Sequence, residues 1–508
     1  MIASRAKAVL VLGALAVATP AAGQNPGQNF DDRPTGFLNA RTGGMPADAW
    51  AGTGLARAKQ LVSALSPAPR SRALRDLQFK VMVSELTPPA ADGSALPSLF
   101  ARKVDRLAAM GEGESLNEMV RGAGAYADPN IAAVVVNALM LAGEREGACA
   151  IARANPLAQP FAQRAEIACR VAAGEAAPTQ AMMAGGADGP TMLMLAVSGE
   201  QPPAALMRTT QPALMRALVA HKTLPLAVRV DIAERGEALA IIEATRLGDL
   251  YLQAVNERVA LPPPTLRRAQ LVAMARGATN AQEIMSSVAT VYSESRGTPM
   301  FPTVARASSW GLLNLPPQAQ YANVAQEAMR GFLLLGDRRL TEAWTKLALN
   351  AAYNNARAML ALERMMPLVI VAGIDKPNRI AVEDANRWYE IMRNDEPERA
   401  QLRGNVLLEL FRAVGFDVPP RSTDLPETPP ANVRLVSLPP QALQALQVAA
   451  QAGRRAETAL IACGAVGETA LTDLHPASVG AVVRALRAAG EDHAARLFAV
   501  EVAIAHGL

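Results

Sequence analysis

The hydrophobic residues of this chain recur with a helical period over most of its length. Between residues 49 and 415, apolar positions fall at i, i+3, i+4 and i+7, and no alternation of apolar and polar residues indicates a strand. Alanine and leucine are abundant, whereas aromatic residues make up only 4% of the 508 residues. Because alanine and leucine favour helices and long β-branched runs are few, we predict an all-α fold.

A shorter pattern repeats within this helical sequence: an apolar run, a glycine, an acidic residue, and a bulky apolar residue eight positions after the glycine. The four copies are RLAAMGEGESLNEM at 106–119, ALMLAGEREGACAI at 138–151, GFLLLGDRRLTEAW at 331–344 and ALRAAGEDHAARLF at 485–498. The glycines, which we expect to end one helix in the left-handed conformation, are Gly111, Gly143, Gly336 and Gly490. The acidic residue suits the N-terminus of the next helix, so each copy predicts a helix–turn–helix hairpin.

The spacing of these copies indicates the type of array. Gly111 and Gly143 lie 32 residues apart, close to the roughly 34-residue tetratricopeptide period. The other spacings are irregular, so we predict an α-solenoid of degenerate tetratricopeptide-like hairpins. Hairpins in such an array bury a core only against their neighbours, which leaves one long concave face for a partner.

The first 23 residues have the features of a signal peptide. Arg5 and Lys7 precede the apolar run 8–18, and the small residues before Gln24 fit a cleavage site. The run is too short for a spanning helix, and no other stretch reaches the roughly 18 apolar residues that such a helix needs. We expect a periplasmic or secreted protein, cleaved near Gly23, with no membrane span in the mature chain.

Two stretches interrupt the helical pattern. Residues 24–48 have no apolar period and predict a flexible arm. Residues 416–440 contain seven prolines, which exclude a regular helix and predict an extended linker. The expected organisation is a helical-repeat body at 49–415 followed by a smaller C-terminal helical unit at 441–508.

Charge and histidine content narrow the classes of function. Loss of the signal peptide lowers the formal net charge from +4 to +2, so the pI of about 9.1 does not indicate a strongly basic surface. The Arg-Arg pairs are scattered and lack flanking aromatic residues, which argues against nucleic-acid binding. The four histidines lack metal-binding spacing, and the chain has no P-loop and no Gly-x-Ser-x-Gly motif. We therefore predict no metal and no cofactor.

The three cysteines predict one covalent link. Cys149 and Cys169 each lie ten residues from Gln159 in the loop NPLAQP, so an antiparallel hairpin would place them opposite each other. In an oxidising compartment this predicts a disulfide. The alternative is a pair of small core residues that do not meet. Cys463 is left over, and we expect it to be buried.

One stretch carries candidate catalytic chemistry. Residues 292–317, YSESRGTPMFPTVARASSWGLLNLPP, contain Glu294-Ser295 and then Gly-Leu-Leu-Asn shortly before a proline. Asn-Val at 323–324, Gly-Phe-Leu at 331–333 and Ala-Tyr-Asn-Asn-Ala at 352–356 follow. In this order of motifs the chain resembles the soluble lytic transglycosylases, which cleave peptidoglycan glycan strands and in which a helical superhelix precedes the catalytic domain.

This resemblance implies a glycosidase that uses a single carboxyl group. Glu294 would protonate the glycosidic oxygen and then accept a proton as the sugar's own hydroxyl closes a 1,6-anhydro ring, with Tyr353 orienting the sugar. An apolar pocket would have to raise the pKa of Glu294. Asn314 replaces the glutamine of the signature, Arg296 adds a nearby cation, and residues 331–344 belong to the hairpin repeat. The structural alternative is that Glu294 is a charge on a helix surface.

A second resemblance covers more of the chain. It rests on the runs ALMLAGEREGACAIA, PTMLMLAVSGEQPPAALM, LPLAVRVDIAERGEAL and AMRGFLLLGDRRLTEAWTKLAL. They are similar to a family of uncharacterised secreted helical proteins of Gram-negative bacteria, sometimes labelled antifreeze glycopeptide polyproteins. The family implies a helical fold and export, with no established activity. We expect a non-catalytic periplasmic scaffold that binds a protein or cell-envelope partner; lytic transglycosylase-like cleavage of peptidoglycan is the alternative.

Overall fold

The computed structural model describes residues 30–93, 97–159, 161–173, 175, 206–353, 355–375, 377, 379–418 and 435–508. The predicted signal peptide, the start of the predicted arm and residues 419–434 of the predicted linker lie outside this part of the chain. Within it the fold is all-α, with 22 α-helices and, apart from three isolated bridges, no β-structure. The predicted all-α class is confirmed.

The helices before residue 280 are α1 (Leu55–Ala64), α2 (Arg72–Val83), α3 (Leu99–Ala109), α4 (Gly113–Ala123), α5 (Pro129–Ala142), α6 (Arg145–Ala154), α7 (Phe161–Ala172), α8 (Pro212–Ala220), α9 (Leu226–Ala238), α10 (Ala244–Asn256) and α11 (Pro263–Gly277). Those after it are α12 (Ala281–Ser295), α13 (Phe301–Ser309), α14 (Ala325–Leu334), α15 (Arg338–Ala352), α16 (Ala356–Val371), α17 (Val382–Asp395), α18 (Pro397–Ala413), α19 (Pro440–Gln451), α20 (Arg455–Val466), α21 (Pro476–Ala488) and α22 (Asp492–Ala505). Most neighbours in sequence pack against each other, as helix hairpins do.

The four repeat glycines share one turn geometry. Their φ angles are positive, 76° at Gly111, 86° at Gly143, 68° at Gly336 and 84° at Gly490. At each turn the N–H of the following acidic residue donates to the carbonyl five residues before it, at 2.8–3.0 Å. This bond, together with one from the glycine N–H, satisfies carbonyls at the helix end. A positive φ is less strained for glycine than for a residue with a Cβ, which is why glycine recurs there, although Ala240 and Arg258 adopt the same turn at φ angles of 58° and 51°.

The bulky residue eight positions after each glycine faces the core in most copies. Met119, Trp344 and Phe498 have no exposed surface, whereas Ile151 is half-buried against the core. Two helical turns separate the glycine from this position, so the side chain reaches back toward the preceding helix. The repeat thus fixes both the turn and the first packing contact behind it.

Turns of the same kind also form where no acidic residue follows the glycine, as three examples show. Gly373, Gly415 and Gly453 have φ angles of 74°, 97° and 68° and are followed by isoleucine, phenylalanine and arginine. Each of these following residues also donates to the carbonyl five positions earlier. Sequence analysis missed these turns because it required an acidic residue, which the hydrogen bonds do not.

The two ends of the helical array meet. Helix α20 packs on α1 and α2, and α22 packs on α2, α14, α16 and α18. Glu457 of α20 accepts hydrogen bonds from Arg57 at 3.1 Å and from Thr53 at 3.2 Å. These contacts therefore do not form the open superhelix with a free concave face that the repeats predicted. The array closes around its own inner helices.

The C-terminal helices are part of this closure and do not stand apart. Nine of the 12 residues of α20 are buried, which leaves no polar face to present to solvent. Such a helix must be covered on all sides, and α1, α2, α19 and α21 cover it. Residues 441–508 do form helices, as predicted. These helices are not a separate unit, because they pack on the N-terminal helices and on the rest of the body.

The N-terminal segment from Phe30 is also packed onto the helices. Asp31 accepts a hydrogen bond from the backbone N–H of Leu99 at 2.7 Å and pairs with Lys59 at 3.0 Å. Met45 is fully buried. The flexible arm expected at 24–48 does not describe residues 30–48, because buried polar and apolar contacts hold them on α1 and α3.

The predicted disulfide is confirmed. Cys149 in α6 and Cys169 in α7 are bonded, with their Cα atoms 5.6 Å apart. Cys463 is free and buried, and burial raises the pKa of its thiol to about 12. This thiol is therefore uncharged near neutral pH.

Candidate functional site

Glu294 lies at the end of α12 on the protein surface. Arg267 of α11 donates to both of its carboxylate oxygens, with Nη2 2.8 Å from Oε1 and Nε 3.3 Å from Oε2. The side chain of Glu294 is 44% exposed. These hydrogen bonds hold the pKa of Glu294 below its usual value. A general acid for glycoside cleavage needs the opposite shift, so this environment keeps Glu294 ionised and unsuited to donate a proton.

The glycines of the transglycosylase-like stretch have a packing role. A Cβ at Gly311 would overlap the carbonyl oxygen of Ala275, and a Cβ at Gly331 would overlap the hydroxyl of Ser309. The buried Tyr292 hydroxyl bonds to Ser309 at 2.6 Å and donates to the Ala305 carbonyl at 2.9 Å. Close packing around Gly311 and Gly331 therefore explains why glycine occupies these two positions, without a role in binding a glycan.

Tyr353 lies on the protein surface. It follows α15 directly and its side chain is 83% exposed. Three other large apolar side chains of the α15–α16 hairpin are also exposed: Leu349, Met359 and Leu360. We call Leu349, Tyr353, Met359 and Leu360 the hairpin patch. Its members lie within 12 residues of sequence, at the tip where α15 ends and α16 begins.

A cavity, which we call the central cavity, lies where the array closes. Its volume is about 640 Å³, and its walls come from the start of α2, the turn after α9, α13, α14, α18 and the end of α22. Exposed side chains at its mouth include three arginines: Arg70, Arg296 and Arg399. The 296–306 part of the transglycosylase-like stretch thus contributes to a cavity, while Glu294 is paired with Arg267 outside it.

A buried ion-pair network supports one wall of the cavity. Glu237 of α9 has no exposed surface and accepts from Arg306 at 2.6 and 3.0 Å and from Arg72 at 3.1 Å. Burial alone would raise the pKa of Glu237, but the two guanidinium charges outweigh it and the pKa is lowered. The carboxylate is therefore ionised and ties α2, α9 and α13 together.

A second carboxyl group joins the two ends of the array. Glu501 of α22 accepts from the Ser71 hydroxyl at 2.6 Å and from the backbone N–H of Ala73 at 3.1 Å. Burial raises the pKa of Glu501. The first turn of α2, whose N–H groups have no helical partners, is thus capped by a residue more than 400 positions away.

Two polar side chains in the cavity wall lack the partners that burial usually demands. Arg330 of α14 is only 8% exposed, and no carboxylate among the described residues lies within 4.0 Å of it. Its guanidinium faces the amide of Gln326, and with the amide assigned so that its oxygen points toward Arg330 the oxygen accepts at 2.6 and 3.1 Å. His506, after α22, is buried, and its Nε2 atom has no hydrogen-bond partner. Burial lowers the pKa of His506 to about 4, so the ring is neutral at pH 7.

Sequence analysis placed residues 296–306 in a candidate catalytic stretch, but it assigned no role to Arg306, Arg330 or His506 and did not predict that they line one cavity. Arg306 and Arg330 occur inside ordinary amphipathic helices, and His506 has no metal-binding neighbour in sequence. The one available signal was an arginine at a position where the helical period predicts the buried face. A single buried-face arginine is common in helical proteins, so the constellation becomes visible only when distant helices meet.

Metal and membrane sites are not found in the residues that the structure covers. No group of three or more His, Cys, Asp or Glu side chains is placed to hold a metal ion there. None of the described helices combines the length and the apolar character that crossing a bilayer requires.

Comparison of the chain with protein-family models, curated proteins and solved structures found no match.

Proposed function

We propose that this chain is a non-catalytic helical-repeat scaffold, exported to the periplasm, that binds a protein partner of the cell envelope through the hairpin patch. The supporting observation is the exposure of four large apolar side chains at one hairpin tip. Clustered exposed apolar groups on a folded surface mark sites where another surface packs. The resemblance to secreted helical proteins of Gram-negative bacteria points to the same compartment.

The chemistry of the patch suits a protein surface. Tyr353 presents an aromatic ring and a hydroxyl from a rigid helix end, a combination that is enriched where protein interfaces carry most of their binding energy. Leu349 lies one helical turn before it, on the same face. Asn355 caps α16 by accepting from the backbone N–H of Arg357 at 3.0 Å. The cap holds the second half of the patch in place before any partner binds.

The proposal is tested by affinity capture from envelope fractions with the mature chain as bait. The double variant Leu349→Ser, Tyr353→Ser should lose the proteins that the wild type retains. Met274→Ser removes a comparably exposed apolar side chain from α11, remote in sequence, and should retain them. Identical capture by wild type and double variant, or no capture by the wild type, would contradict a role for the hairpin patch.

Export is tested separately by N-terminal sequencing of the mature protein from periplasmic and medium fractions. The expected first residue is Gln24. Recovery of a chain that still begins at Met1, in the cytoplasmic fraction alone, would contradict the periplasmic assignment.

The absence of catalysis is tested by digestion of purified sacculi. Because Arg267 keeps Glu294 ionised, wild type and Glu294→Gln should both fail to release 1,6-anhydro-muropeptides. Release by the wild type that disappears in Glu294→Gln would establish the transglycosylase alternative and reject the scaffold.

A further inference from the structure

The central cavity has the volume and the charged lining of a ligand-binding site. Its volume of about 640 Å³ falls within the range of small-molecule sites. Seven arginine side chains line it, against the three carboxyl side chains of Glu398, Asp473 and Glu501. Several of these arginines pair with acidic residues that do not line the cavity. Such pairing reduces the positive charge that a ligand in the cavity would meet.

Most of the lining arginines have a carboxylate partner. Arg403 pairs with Glu396 at 2.8 Å, and Arg296 pairs with Glu327 at 3.4 Å. Arg72 and Arg306 share the single carboxylate of Glu237 described above. Arg330 is as buried as Arg306 and Arg403, but among the described residues its partner is a neutral amide and not a carboxylate. An uncompensated positive charge therefore lies in the wall of the cavity.

Burial of a guanidinium without a carboxylate partner is unfavourable. Burial, followed by the positive charge of Arg296, lowers the pKa of Arg330 to about 9. At pH 7 the group is still charged, so its desolvation is not relieved by loss of a proton. The Nε2 atom of His506, in the same cavity wall, is another buried polar atom without a partner. The Arg330 guanidinium would gain hydrogen bonds from an anion in the cavity.

Part of the remaining wall is apolar, and the mouth is open to solvent. Phe301, Leu334 and Leu402 are buried side chains that line the cavity. Arg296 and Arg399 at the mouth are exposed and positively charged, which favours the approach of an anion. A ligand that matches these walls has one negative group and an apolar body.

We propose that the central cavity binds an amphipathic organic carboxylate, whose carboxylate group pairs with Arg330 while its apolar part packs on Phe301, Leu334 and Leu402. A carboxylate matches because its two oxygens accept two parallel bonds from one guanidinium. Its single charge also balances the buried guanidinium of Arg330, which has no carboxylate partner among the described residues. This site is separate from the hairpin patch and does not depend on the scaffold role.

The test uses decanoate as the probe, with calorimetric titration of the full mature chain. Acetate supplies the carboxylate without the apolar part, decanol supplies the apolar part without charge, and decyl phosphate replaces the carboxylate. We expect one molecule of decanoate per chain, and binding of acetate and decanol weaker by about tenfold or more, since each lacks one set of contacts. Tighter binding of decyl phosphate than of decanoate would overturn the carboxylate assignment.

Arg330→Gln removes the buried guanidinium. Decanoate affinity should fall by about tenfold or more, which is the loss of a charge-assisted hydrogen bond. Without decanoate, the melting temperature of this variant should equal or exceed that of the wild type, because a buried charge without a carboxylate partner is gone. A purely structural arginine would show the opposite, a lower melting temperature and unchanged decanoate affinity.

Two further variants keep the test decisive. Arg267→Gln removes a guanidinium from the surface outside the cavity and should leave decanoate affinity unchanged. Arg330→Lys keeps the charge and the helix but lacks the planar fork, so its affinity should lie between those of wild type and Arg330→Gln. Wild-type decanoate affinity in Arg330→Lys and Arg330→Gln, or no decanoate binding by the wild type, would overturn the proposal.

Discussion

Glu237→Gln is the substitution that most directly tests how the array is held closed. The carboxylate has no exposed surface and bonds to guanidinium groups from two other parts of the chain. Glutamine keeps the size of the side chain and removes its charge. The variant therefore leaves Arg72 and Arg306 in place but without their shared anion.

The magnitude follows from what each arginine keeps. Arg306 loses its carboxylate, and its side chain is only 9% exposed, so water cannot replace the lost interaction. Arg72 keeps Glu243 at 3.3 Å and the carbonyl of Ile242 at 2.9 Å. Removing one partner of a buried pair costs about 3–5 kcal/mol. Because Arg72 is partly compensated, we expect a loss near the lower end, about 3 kcal/mol.

The assay is equilibrium unfolding in urea, with Glu294→Gln as the matched control. The control makes the same substitution in a carboxylate that also bonds to arginine, but at an exposed site where water screens the pair. Its free energy of unfolding should change little. Equal losses in both variants, or no loss in Glu237→Gln, would refute the argument that burial of the network stabilises the closed array.

Other consequences can be measured on the same protein. Replacing Cys149 and Cys169 with alanine should lower the free energy of unfolding by about 3 kcal/mol, because the bond closes a loop of 20 residues. Gly311→Ala should lower the melting temperature, since its Cβ overlaps a backbone carbonyl. Stability should fall as the pH drops from 6.5 toward 4, because the unfolded chain protonates His506 in that window while the folded protein, with a pKa of about 4, does not.

Each of these predictions has its own control. Reductant should lower the melting temperature of the wild type and leave the double alanine variant unchanged. Gly147→Ala, in helix α6 with open space around it, should be neutral or slightly stabilising. His506→Gln should reduce the slope of stability between pH 6.5 and 4. An unchanged slope, an equal effect of the two glycine substitutions, or a reductant effect on the alanine variant would contradict the corresponding prediction.

The turns of this protein could be predicted from sequence because they depend on local geometry. Gly111, Gly143, Gly336 and Gly490 were identified by position, and each has a positive φ angle. Only residues within five positions of each glycine form the turn. The disulfide between Cys149 and Cys169 was also predictable, since one short hairpin brings the two residues together.

The candidate site was not predictable for the opposite reason. Its central contacts join residues far apart in the chain, as when Glu237 bonds Arg72 and Arg306, or Glu501 bonds Ser71. The catalytic alternative around Glu294 rested on the order of short motifs. The order of motifs carries no information on how exposed Glu294 is or which residue pairs with it. In the structure Glu294 pairs with Arg267, whose hydrogen bond lowers the pKa of Glu294.

The sequence by itself determined that this chain folds into helices, where many of them turn, and which two cysteines bond. Those properties follow from the helical period of apolar residues and from the backbone freedom of glycine, which act over a few residues. Only the tertiary structure decided that α20 and α22 pack on α2, that a cavity forms where they meet, and that Arg330 is buried there without a carboxylate. The physical reason is that burial and pairing are properties of surfaces brought together, and the helical period specifies which face of a helix is buried but not what covers it.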